Sequence, residues 1–153
     1  MSSQQKISSL FVTNKFGGLI FTKHFYTRSS NNQQPNENVY MTLLSTMHSL
    51  HLMAQQIAPN PMDYQYMENI VMGDTIICTH QTATGVKFVI VVEGGGNSTD
   101  VPHRDQLMTD IYELYVEYVV KNPFYVDDHP FQNNCKEFVD RVTKLVEDRN
   151  GTS

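Results

Sequence analysis

The chain has no tryptophan, two cysteines among 153 residues, and no long apolar run. The longest apolar stretch, Val86–Val92, is interrupted by Lys87 and falls far short of the roughly 20 residues a membrane-spanning helix needs. Cys78 and Cys135 stand 57 positions apart, too few to make a disulfide framework, and read as packed thiols in a reducing cytosol. Basic residues are scarce: 11 Lys and Arg against 16 Asp and Glu give a net charge of −5. They are also scattered, which excludes the clustered positive stripe that tracks a phosphate backbone, so nucleic acid is not an expected partner. The opening Met-Ser-Ser-Gln-Gln-Lys has neither an apolar leader core nor a myristoylation glycine. The expectation is a cytosolic chain whose membrane contact is at most peripheral.

Chemistry-bearing motifs are equally sparse. His48 and His51 lie three apart on a helical stretch, but no Asp, Glu or Cys joins them locally and no HExxH pattern occurs. Gly94–Gly96 lacks the Lys-Ser/Thr of a phosphate loop, and no GxGxxG opens a helix. Cys135 has no general base in register, and Asp127-Asp128 reads as a solvated pair. No nucleophile, base and orienting group converge. The sequence therefore offers no catalytic, cofactor or metal residues, and the expectation is a non-enzymatic chain.

What is present is core material. With 40% hydrophobic residues, 8 Tyr and 8 Phe, the chain is globular and of one-domain size. A single domain is expected over 1–153, with its core at about 7–148, a polar loop at 27–38 and a flexible tail at 149–153. Ile7–Thr13 and Leu19–Tyr26 read as strands joined at Asn14-Lys15-Phe16-Gly17-Gly18. Val39, Leu43, Met47, Leu50, Ala54 and Ile57 recur at helical spacing before Pro59 and Pro61. Strands follow at Glu68–Met72, Thr75–Gln81 and Val86–Val92, the last two turning at Ala83-Thr84-Gly85. Cys135, Phe138, Val142 and Leu145 mark a final helix over Asn134–Asp148. The order ββαβββαα predicts an α+β domain, with a five-stranded antiparallel sheet and helices on both faces.

The stretch from Arg104 to Lys121 stands out. Its apolar residues form two adjoining stripes, Leu107/Ile111/Leu114/Tyr118 and Met108/Tyr112/Tyr115/Val119. A surface helix usually needs one. The second suggests a helix pressed between its own sheet and another protein, ending where Asn122-Pro123 breaks the ladder.

Four blocks, in order, resemble the synbindin family, the subunit 4 family of the transport protein particle (TRAPP) complex. They are Asn14-Lys15-Phe16-Gly17-Gly18-Leu19-Ile20, Met47-His48-Ser49-Leu50 closing on Ala58-Pro59, Gln81–Val89 with its Thr-Gly turn, and Lys121-Asn122-Pro123-Phe124-Tyr125. The similarity extends from about Leu10 to Leu145. Animal members insert a PDZ-like module where this chain has only Thr27–Asn38. The resemblance implies a longin fold and a place in a complex that tethers vesicles between endoplasmic reticulum and Golgi. It also implies that the complex promotes GDP release from a Rab1-type GTPase. Partners would be longin-type and Bet3-type subunits, with Golgi and endoplasmic reticulum membranes reached through the complex.

By the same resemblance, one subunit interface would use the edge strand and first helix: Leu44, Leu52, Met53, Glu68, Ile70 and Met72. A second, partner- or GTPase-facing surface would comprise Tyr112, Tyr115, Val119, Asn122, Phe124 and Tyr125, with Tyr115→Asp breaking assembly but not folding. The competing readings are a sister longin subunit (TRAPP subunit 1, which shares Tyr115–Pro123), a SNARE-type longin lacking its coiled coil and anchor, and a small cysteine-dependent enzyme.

Overall fold

The computed structural model describes residues 5–25, 37–57, 69–72, 75–94, 104–125, 130 and 135–151, with side chains at all but 37–40, 51, 54, 55, 69, 70 and 72. Strands β1 (Lys6–Thr13) and β2 (Leu19–His24) precede helix α1 (Glu37–Ile57). Then come β3 (Asn69–Met72), β4 (Thr75–Gln81) and β5 (Lys87–Glu93). Helix α2 (Arg104–Tyr115) runs directly into a π-turn (Val116–Val120), and α3 (Lys136–Gly151) closes the set. Among the described residues no helix is long and apolar enough to cross a membrane.

The strands form one antiparallel sheet in the order β2-β1-β5-β4-β3. β1 and β5 sit centrally and are buried on both faces, which explains why Phe88–Val92 is apolar without alternation. Successive residues still divide between two layers. Leu10, Val12, Phe21, Ile76, Cys78, Phe88, Ile90 and Val92 join the cluster that holds α2, the π-turn and α3. Phe11, Ile77, Val89 and Val91 face the other way, against Leu44 and Met47 of α1.

The β1–β2 and β4–β5 hairpins use the same five-residue turn. Asn14 N–H donates to the Gly18 carbonyl at 2.8 Å, and Gly17 N–H to the Asn14 carbonyl at 3.0 Å. Thr82, Gly85 and Val86 repeat the pattern at 2.8 and 3.0 Å. The fourth residue must adopt positive φ, 85° at Gly17 and 91° at Gly85, where L side chains are strained. The side chains finish the job: Asn14 Oδ1 accepts from Phe16 and Gly18 N–H, and Thr82 Oγ1 accepts from Val86 N–H.

Two expectations require correction here. The residues 149–151 are not a tail, because α3 continues through Gly151 and Asn150 bonds to β1. The inward stripe of α1 is also displaced: Leu44 and Met47 are buried, whereas Leu50 is 44% and Ile57 79% exposed. The sheet explains this. Among the described residues, its α1 face buries Phe11, Ile77, Val89 and Val91, with Leu19 partly buried beside them, enough to receive only part of the helix. The polar loop at 27–36 and the glycine-rich segment at 95–100 lie outside the described residues.

Candidate interaction surfaces

The wide apolar face of the Arg104–Lys121 stretch has an internal explanation. Tyr115 lies between β5 and α3, with its ring centroid 5.3 Å from that of Phe88 and 6.4 Å from that of Phe138, both edge-on. Phe138 in turn meets Phe21 at 5.3 Å. Residues of both stripes, Leu107, Met108, Ile111, Tyr115 and Val119, are thus buried in the one core shared with the sheet and α3. Tyr115 and Val119 were expected on a partner surface and are instead core, at 6% and 0% exposure. The π-turn contributes to this. Lys121 N–H reaches back five residues to the Val116 carbonyl at 3.1 Å, widening the turn and shifting the helical phase. Val119 is thereby sealed in, while Val120 remains half exposed.

The rest of that candidate surface divides. Tyr112 is 40% exposed and touches Phe88 with one ring edge. Tyr125 is partly buried against the core. Phe124 is the outlier, at 85% exposure. Asn122 fixes its position: Oδ1 accepts from Phe124 N–H at 3.0 Å, and Nδ2 donates to Cys135 Sγ at 3.7 Å. The Asn122 backbone also bonds to the Val119 carbonyl and accepts from Tyr125 N–H. Phe124 is thus an apolar knob on a braced turn, and a partner would meet little ordering cost there. Val120, four residues earlier in the chain, is also exposed.

A second apolar surface lies on α1. Met41, Leu50, Leu52, Met53 and Ile57 are all at least 44% exposed. Of the proposed interface residues, Leu52 and Met53 belong to it; Leu44 does not, since it is 4% exposed and packs on the sheet. β3 is one of the sheet's two edge strands, with β2 at the other side, and Val71 on it is 44% exposed. Ile70 and Met72 lie in β3, but their side chains are outside the described set, as is Glu68 entirely. A short edge strand is a ready template for pairing with another chain.

The titratable groups are occupied structurally. Burial pushes the Cys135 thiol up, away from the thiolate form that a nucleophile requires. His48 Nδ1 accepts a hydrogen bond from Lys87 Nζ at 2.9 Å, and burial followed by the Lys87 charge holds the imidazole below its usual range. Arg104 donates from its guanidinium to the Thr79 carbonyl on β4 and pairs with Asp105 at 3.1 Å. His48 thus serves a helix-to-sheet hydrogen bond. Lys87 carried no signal of this in isolation, although its place in the β5 alternation puts it on the α1 face.

The fold is an α+β domain that leaves apolar side chains exposed on α1, at Val71 of β3 and at Phe124. A sequence model described as the Sybindin-like family matches residues 7–149, and the chain belongs to that family. It is 31% identical over 140 residues to a Dictyostelium discoideum protein named trafficking protein particle complex subunit 4, covering 92% of this chain and 96% of that relative. Relatives of the same name from Homo sapiens and Mus musculus are 33% identical over 116 residues, 71% of this chain. The matched region spans 46% of those mammalian relatives.

Proposed function

We propose that this chain is a non-catalytic structural subunit of a TRAPP vesicle-tethering complex. The observation that carries the proposal is its 31% identity along 96% of a relative named as subunit 4 of that complex. On this reading the architecture is a longin domain. The outer face of α1 and the edge of β3 pair with another longin-type subunit, while Phe124 and Val120 contact a Bet3-type subunit or the GTPase.

The complex would act between endoplasmic reticulum and Golgi, held at those membranes peripherally, and would promote GDP release from a Rab1-type GTPase. Such exchange needs only a surface that binds the nucleotide-free GTPase better than the loaded one, so no proton-transfer group is required of this chain.

The test is GDP release from a Rab1-type GTPase, measured with the reconstituted complex assembled with and without this chain. Loss of stimulation on omission supports the role in exchange. A chain that neither co-purifies with TRAPP subunits nor alters exchange would overturn it.

A further inference from the structure

The sequence holds a single Asn-Gly pair, Asn150-Gly151, and its asparagine has an unusual position. The β1–β2 register runs only from Ser9 to Thr13, so β2 gives Ile7 no partner. Asn150 fills that place. Its Oδ1 accepts from Ile7 N–H at 2.9 Å, and its Nδ2 donates to the Ile7 carbonyl at 3.2 Å. One carboxamide thus bonds as the peptide group of a neighbouring strand would, and it ties the last turn of α3 to a central strand across 143 residues of sequence.

Asparagine before glycine is also the pairing most open to intramolecular attack, because glycine places no side chain beside its own nitrogen. Gly151 is exposed, with nothing within 4 Å of where a Cβ would sit. We propose that Asn150 is a deamidation site whose reactivity is gated by this clamp. When the last turn opens, the Gly151 nitrogen loses its proton and bonds to Asn150 Cγ. The Cγ–Nδ2 bond breaks, ammonia leaves, and a five-membered imide remains. Water then adds to either imide carbonyl, giving aspartate or isoaspartate.

Helical geometry and the two hydrogen bonds oppose this in the closed state, since attack needs Asn150 to leave both. Helix ends fray at little cost, so the opened turn is an accessible local state. The change is one-way in its effect. The product has lost the Nδ2 donor and places a carboxylate against the Ile7 carbonyl, so the clamp cannot re-form as before. Isoaspartate also lengthens the backbone and cannot continue the helix. The modification would irreversibly free the end of α3 from β1.

The full chain is incubated at pH 8.5 and 37 °C, folded and in urea, and followed by peptide mapping with isoaspartate detection. Hydrogen exchange at the Ile7 amide is read in parallel. The expected result is conversion at Asn150 in the folded protein, at least about tenfold slower than in urea if two hydrogen bonds of ordinary net worth close the gate. Converted molecules should lose Ile7 amide protection, and Gly151→Ala should suppress conversion in both states. Equal rates in the two states would overturn the gating. Retained Ile7 protection after conversion would overturn the clamp's role. No conversion in the folded protein, over a period roughly a thousand times the half-life of the unfolded chain, would overturn the site itself, since two ordinary hydrogen bonds cannot slow it that far.

Discussion

Lys87 donates a hydrogen bond from its ammonium group to His48 Nδ1 at 2.9 Å, joining the centre of the sheet to α1. The geometry demands a neutral imidazole, since a protonated ring has no acceptor and would place two cations in contact. Lys87 is 8% exposed, and burial pulls its own affinity for a proton downward as well. The folded state therefore resists protonation of His48 more than the unfolded chain does. A depressed folded value means stability is fully present above the ordinary histidine range and falls as pH drops through the folded value. Urea midpoints should accordingly decline between pH 7.5 and 5. His48→Gln keeps an acceptor but cannot titrate, and should flatten that part of the profile. An unchanged slope in the variant would assign the pH dependence elsewhere.

The same histidine constrains the first hairpin. A Cβ at Gly17 would sit 2.8 Å from two carbons of the His48 ring, at a φ of 85°. Gly17→Ala combines backbone strain with a clash against a ring that is itself bonded. It should cost about 1–3 kcal/mol in chemical denaturation. The double variant with His48→Ala should recover part of the loss, because the clash term disappears while the strain remains.

Two aromatic positions on the Arg104–Tyr125 stretch, Tyr115 and Phe124, should separate cleanly. Tyr115→Ala removes a ring packed between Phe88 and Phe138 and should cost about 3–5 kcal/mol, seen as a lowered thermal midpoint. Phe124→Ala should stay within about 0.5 kcal/mol of the parent, as exposed substitutions usually do. If the proposed subunit role is right, Phe124→Ala weakens co-purification with TRAPP partners without altering the melt. A large thermal shift at Phe124 would show that this knob serves the fold.

What could be read in the sequence follows from where the physics is local. The strands were legible because a half-buried strand alternates and a doubly buried one does not. The turns at Gly17 and Gly85 were legible because a positive φ selects glycine. The π-turn was not, since Val-Glu-Tyr-Val-Val continues a helical pattern and the wider turn is fixed by tertiary packing. Nor could the stripe containing Tyr115 declare what covers it. The apolar face is the same whether Phe138 or a foreign chain lies against it, and only the path of α3 decides. The inward face of α1 failed for a related reason. Its stripe runs the whole helix, but the sheet is apolar under only part of it.

That mismatch sets up the last prediction. Leu44 and Leu52 are the same residue type eight positions apart, yet one is 4% and the other 46% exposed. Leu44→Ala should cost about 2–5 kcal/mol, because it leaves a void against Phe11, Ile77 and Val89. Leu52→Glu with Met53→Glu should leave the denaturation midpoint nearly unchanged and improve solubility of the isolated chain, because it breaks up an exposed apolar patch. In a reconstituted complex the same pair should block pairing along α1 and β3, since a buried glutamate without a partner is costly. Size-exclusion chromatography with a longin-type subunit reads the outcome. Normal assembly by the double variant would exclude the outer face of α1 as the interface and leave the strand edge around Val71 to carry it.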